Sequence, residues 1–133
     1  MIGQRVGRRR FFIVVGPLIA TVGAAILYVL VNVAGLSPSG TTLLVCVLAV
    51  LVTSPWGVIV TYINERFATD VRATGFGVGF SLSVIIPSFY AFYLSWLGAW
   101  LSPGIAPVVL LCLGGLLGTI GALLGPETRD VDL

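Results

Sequence analysis

The chain contains neither histidine nor lysine, and its seven basic residues are all arginine. Charged residues of both signs make up 9% of it, against roughly 25% in an ordinary soluble domain. Without histidine there is no candidate triad, and no cluster of metal-ligating residues stands in the sequence. Neither an enzyme, a bound metal nor a cofactor is expected. The two cysteines, Cys46 and Cys112, have no CxxC or Cys/His spacing and read as small apolar packing residues. The arginines lie at segment ends and form no basic face, so nucleic acid is not an expected partner.

What fills the chain is apolar. Hydrophobic residues make up 58% of it, and the mean hydropathy is +1.12. A soluble chain of this length could not hide so much apolar side chain, because small domains bury only about two-thirds of their surface. A lipid bilayer is the solvent that suits this composition.

The charges fall in three clusters. Arg5, Arg8, Arg9 and Arg10 form the first, Glu65, Arg66, Asp70 and Arg72 the second, and Glu127, Arg129, Asp130 and Asp132 the third. Two uncharged runs, 11–64 and 73–126, lie between them. A helix needs about 20 apolar residues to cross a ~30 Å hydrocarbon core, so each run holds two crossings and a turn. Turn chemistry marks both midpoints, as Ser37-Pro38-Ser39-Gly40 and Ser102-Pro103-Gly104. The expected fold class is an all-α membrane protein, residues 1–133 forming one membrane region. Its helices should run over about 11–36, 41–64, 74–101 and 105–125. A barrel is excluded because these runs do not alternate in polarity. A cleaved signal is excluded because 11–36 is longer than a signal core.

Arginine loops stay in the cytoplasm. The ends 1–10 and 126–133 and the loop 65–73 should therefore lie inside, with the turns at 37–40 and 102–106 outside. The expected location is the cytoplasmic (plasma) membrane, with multiple passes.

Inside the spans, Pro17, Pro55 and Pro87 predict kinks or hinges. Gly114, Gly118, Gly121 and Gly125 form one small-residue stripe suited to close helix packing. Ser81, Ser88 and Ser95 share a face of the third helix. Asn32, Thr53, Ser54, Trp56, Tyr62, Tyr90 and Tyr93, with Ser88, are candidates to line a cavity. Trp96 and Trp100 suit the outer aromatic belt. No ionisable acid or base lies inside any expected span, although proton relays normally use one.

The three clusters resemble the cytoplasmic signatures of the major facilitator superfamily, and most closely those of its sugar-porter and metabolite:proton-symporter branches. Gln4-Arg5-Val6-Gly7-Arg8-Arg9 is similar to the D-R-x-G-R-R loop between helices 8 and 9. The segment from Glu65 to Gly75 resembles E-x-F-P-T-x-x-R-x-T-G after helix 10. Pro126-Glu127-Thr128-Arg129 resembles the P-E-T-[KR] sequence after helix 12. Gln4 stands where the family has an acid, and Ala68 where it has proline. The resemblance covers essentially the whole chain and assigns its helices to positions 9–12 of the C-terminal six-helix bundle.

It implies alternating-access transport of a small organic solute, a sugar or organic acid, coupled to protons. It also implies a cytoplasmic gate. Arg5, Gly7, Arg8 and Arg9 would supply its cationic loop, Glu65 and Glu127 its carboxylates, and Arg72 a pairing within its own loop, with Arg129 in the last motif. The remaining transporter helices would be the partners, and the 133-residue chain alone should be inactive. Because Met1 falls within the first motif, the chain reads as a truncated frame or split gene product. Any proton-titrating group would then lie in the N-terminal part. The alternative is a free-standing four-helix protein, acting either as a dimeric small exporter or as a packing partner of another membrane protein.

Overall fold

In the computed structural model, residues 7–65 and 67–125 are described. The architecture is all-helical, with no strand among the described residues. Four helices are long and apolar enough to cross a membrane: Arg8–Asn32, Pro38–Asn64, Arg72–Gly98 and Ala106–Leu124. They are referred to as the first to fourth helix. The shortest, at 19 residues, spans about 28 Å at 1.5 Å per residue, close to the thickness of a bilayer core.

The boundaries differ from expectation in an informative way. The first helix starts at Arg8, so Arg8, Arg9 and Arg10 are helical rather than part of a loop. Gly7, at φ 89°, turns the chain just before it. The second helix starts at Pro38 rather than 41, because Ser37 caps it. The Ser37 hydroxyl accepts from the Gly40 N–H at 3.2 Å, and proline at the first helical position costs no hydrogen bond. The first helix stops at Asn32, where Val33 turns extended and Gly35 takes φ 86°.

Two helices are broken at proline and a third carries a π segment. The second helix is interrupted at Ser54-Pro55, between Pro38–Thr53 and Trp56–Asn64. Pro55 cannot donate to the Leu51 carbonyl, and the Ser54 hydroxyl donates to that oxygen instead, at 2.8 Å. The third helix breaks at Phe89, just after Pro87. In the first helix, Pro17 is followed by a π-helical segment, Ile19–Gly23. Such a segment loosens the carbonyl ladder. The Ala20 carbonyl within it accepts from the Cys112 thiol at 3.1 Å, so Cys112 adds a hydrogen bond to its expected packing role.

The first helix is the best covered. It packs along the fourth helix over most of its length, while its second half also meets the start of the second helix. The end of the second helix meets the start of the third, and Tyr90–Gly98 meets the fourth. The buried apolar residues are Val15, Ile19, Ala24, Ala106 and Ala122. Small side chains dominate because helices in lipid gain from close approach rather than from escaping water.

Candidate functional site

All four helices have one end near the charged clusters, and side chains of the first helix tie its end to those of the second and fourth. Arg8, in the first turn of the first helix, forms an ion pair with Glu65, the residue that ends the second helix. Both side chains are buried, with 11% and 5% of their surface exposed. Each charge faces the unfavourable pole of its own helix, a cation at an N-terminus and an anion at a C-terminus. Together the two charges cancel that penalty. One turn further in, Phe12 packs on Tyr62 with ring centroids 5.7 Å apart. The two contacts form successive rungs between the first and second helices.

Arg9 points to the fourth helix. Its Nε donates to the Ala122 carbonyl at 3.1 Å, and its Nη2 to the Leu123 carbonyl at 2.9 Å. Those oxygens belong to the last turn of the helix and lack partners within it. A guanidinium there completes the ladder and matches the negative helix pole. Arg72 turns back into its own loop, its Nε donating to the Phe67 carbonyl and its Nη2 to Thr69 Oγ1, both at 3.4 Å. The Phe67 ring lies over Gly75, leaving no room for a Cβ there. Arg5, Glu127 and Arg129 lie outside the described residues. The structure therefore brings Arg8, Arg9 and Glu65 to one corner and keeps Arg72 within the loop.

A second feature opens beside that corner. A groove of about 980 Å³ runs between the helices, reaching from Phe12, Tyr62 and Ala122 at the arginine end to Tyr90, Tyr93 and Pro107 towards the other. Among the described residues, no charged side chain lines it. Of the candidate cavity residues, Tyr62 and Tyr90 line the groove, as does Tyr93. Asn32, Thr53, Trp56 and Ser88 do not. Asn32 instead clamps the uncharged end, its Nδ2 donating to the Tyr28 carbonyl at 3.1 Å and to the Gly104 carbonyl at 3.2 Å. Thr53 and Ser88 bond back to their own helices, to Ala49 and Val84. Trp56 is exposed and packs edge-on against Phe80.

The glycine stripe divides. Gly114, Gly118 and Gly121 line the groove, and a Cβ on any of them would meet open space. Gly125 is buried at the helix end. The close helix crossing uses Gly115 instead, on the neighbouring face. There a Cβ would come within 2.6 Å of the Gly16 carbonyl and 2.7 Å of the Ala20 nitrogen. The signal for it was present in the sequence: Gly115, Thr119 and Ala122 form a second small-residue row at steps of four and three.

Comparison with models of protein families, with curated proteins and with solved structures gives no match.

Proposed function

We propose that this chain forms four helices of a secondary transporter of the major facilitator type, and that the arginine end is its cytoplasmic gate. The observation that carries the reading is the Arg8–Glu65 pair. Its two members come from separate charge clusters, 57 positions apart in sequence, and meet buried at the ends of two helices. Removing one partner of a buried pair costs several kcal/mol, so this contact holds the two helix ends more firmly than an exposed pair would. In the resembled family, loop arginines and helix-end carboxylates latch the cytoplasmic side.

Further helices are needed for transport. The central apolar windows of the second and third helices contain no buried residue. The accessible surface is 8785 Å², against about 6,700 Å² expected for a compact soluble chain of this mass. A midplane solute site is built between two helical bundles, and four helices supply less than one. The solute would be a small organic molecule; the resemblance points to a sugar or organic acid and to protons as the coupling ion. The chain is read as a non-enzyme of the plasma membrane, with both ends inside.

The test is uptake of radiolabelled sugars and organic acids into cells expressing the chain alone under an imposed pH gradient. No uptake above background is expected. Saturable proton-driven uptake would overturn the claim that the chain needs further helices.

A further inference from the structure

The π segment Ile19–Gly23 divides the first helix into two parts that are held differently. Arg8–Leu18 carries Arg8, Arg9 and Phe12, which meet Glu65, the end of the fourth helix and Tyr62. Ala24–Asn32 carries the buried Ala24, and Asn32, which bonds the Gly104 carbonyl at the opposite end.

A π turn holds one residue more than the α turn it replaces, and where α spacing resumes one carbonyl is passed over. Here the Ala24 N–H donates to the Ile19 carbonyl, five residues back, and to that of Thr21. The carbonyl between them, Ala20, accepts from the Cys112 thiol at 3.1 Å. In an unbroken α-helix that oxygen would accept from Ala24 itself. Two donors therefore compete for it, an amide of its own helix and a thiol of the fourth, and the thiol is the weaker. The ladder is already loosened one turn earlier. Pro17 offers no N–H to the Ile13 carbonyl, and the Thr21 hydroxyl donates to the Pro17 carbonyl at 2.7 Å.

Returning the Ala20 carbonyl to Ala24 expels the extra residue from the turn. The two parts then rotate by about 100° and shift by about 1.5 Å relative to each other. Ala24 and Asn32 hold the second part, so the first part turns. Its crossing with the fourth helix admits no partial rotation. Val15 or Pro17 would replace Gly16 there, and a Cβ in Gly16's place already strikes Thr119 Oγ1 and lies 2.8 Å from the Gly115 carbonyl. The first part would have to leave the fourth helix, taking Arg8 from Glu65 and Arg9 from the last-turn carbonyls.

We propose that Ile19–Gly23 is a two-register switch. With the Ala20 carbonyl on Cys112 the segment is π-helical and the arginine end is closed. With that carbonyl on Ala24 the segment is α-helical and the arginine end is open. What the motion serves rests on the gate reading, but the motion itself is scored without transport, so either can fail alone.

The experiment is a pulsed electron–electron distance measurement on the full chain in lipid nanodiscs. Spin labels are attached through ketone-bearing side chains at the exposed positions 10 and 70, and in a second sample at 39 and 102, which leaves both cysteines untouched. A short 10–70 distance should dominate in the native sequence. Cys112→Ala removes the donor and should move the ratio of long to short 10–70 distances about fivefold toward long, the worth of about one hydrogen bond. Cys112→Ser keeps a donor and should restore the native ratio. The 39–102 distance should hold in both. Deleting Val22, an exposed residue of the segment, removes the surplus position and makes the Ala24–Ile19 bond an ordinary α-helical one. That chain should keep the short 10–70 distance, and Cys112→Ala should no longer lengthen it. A native 10–70 ratio in Cys112→Ala overturns the switch. So does lengthening of both distances, which marks general loosening. A Val22 deletion that loses the short distance, as a deletion from plain α-helix would, overturns it as well.

Discussion

Gly16 and Gly115 face one another where the first and fourth helices cross, and a Cβ on Gly115 would sit 2.6 Å from the Gly16 carbonyl oxygen. No real side chain fits at that distance. The mirrored substitution meets the same wall, since a Cβ on Gly16 would strike Thr119 Oγ1 and lie 2.8 Å from the Gly115 carbonyl. The crossing brings backbone against backbone, and it carries the best-covered contact in the fold.

Gly115→Ala should therefore destabilise the chain, whereas Gly118→Ala and Gly121→Ala, which face open space, should not. Overpacking of this kind costs about 1–3 kcal/mol. Unfolding in detergent mixtures, followed by helicity, measures the difference. Equal losses at Gly115 and Gly118 would contradict the assignment of the two faces.

The Arg8–Glu65 pair should be costly to halve and cheaper to replace whole. Arg8→Gln leaves the buried Glu65 carboxylate without the guanidinium, at about 3–5 kcal/mol, and Glu65→Gln removes the carboxylate that faces Arg8. An apolar pair of similar size at both positions should recover much of that loss. The readout is the same unfolding titration run as a double-mutant cycle. A negligible coupling between the two positions would show that the charges act separately.

Arg9→Ala should fray the end of the fourth helix without disturbing its middle. The Ala122 and Leu123 carbonyls lose their donors, and amide exchange around Leu123 and Leu124 should quicken. Protection near Leu110 and Leu111 should hold. Arg9→Lys, a single cation in place of a two-pronged donor, should restore only part of the protection.

At the opposite end, Asn32→Ala removes the side chain that joins the first helix to the turn before the fourth. Interhelical hydrogen bonds in membranes average about 0.6 kcal/mol and reach about 1.7, so a small, measurable loss of stability is expected. Gly104→Ala should cost a similar amount, because its Cβ would displace the flexible end of the Asn32 side chain and break the same hydrogen bond.

Orientation is open to a separate check. Topology reporters fused after Ser39 and after Asp70 should report outside and inside respectively, following the arginine bias. The reverse pattern would invert the gate assignment.

The four spans and their turns were legible in the sequence, because hydrocarbon excludes ionised side chains and the charges can only collect at helix ends. The clusters themselves also carried Arg8, Arg9 and Glu65 as the residues of interest. The pairing of Arg8 with Glu65 follows what the resemblance implied. What was not legible is that Arg9 also caps a helix, because the last-turn carbonyls of the fourth helix come to lie beside it. Asn32 and Trp56 read as cavity residues from polarity and depth alone. Only the packing turns Asn32 to the Gly104 carbonyl and Trp56 to Phe80.

Composition and charge spacing alone determined that this chain makes apolar helices and how many, since those properties depend on each segment's own solvation. Which glycine is squeezed, which arginine meets which helix, and where a narrow trough remains were decided by tertiary structure. These depend on the rotation of each helix about its axis, and for the first and fourth helices that rotation is fixed where Gly16 meets Gly115, a contact that no one segment specifies.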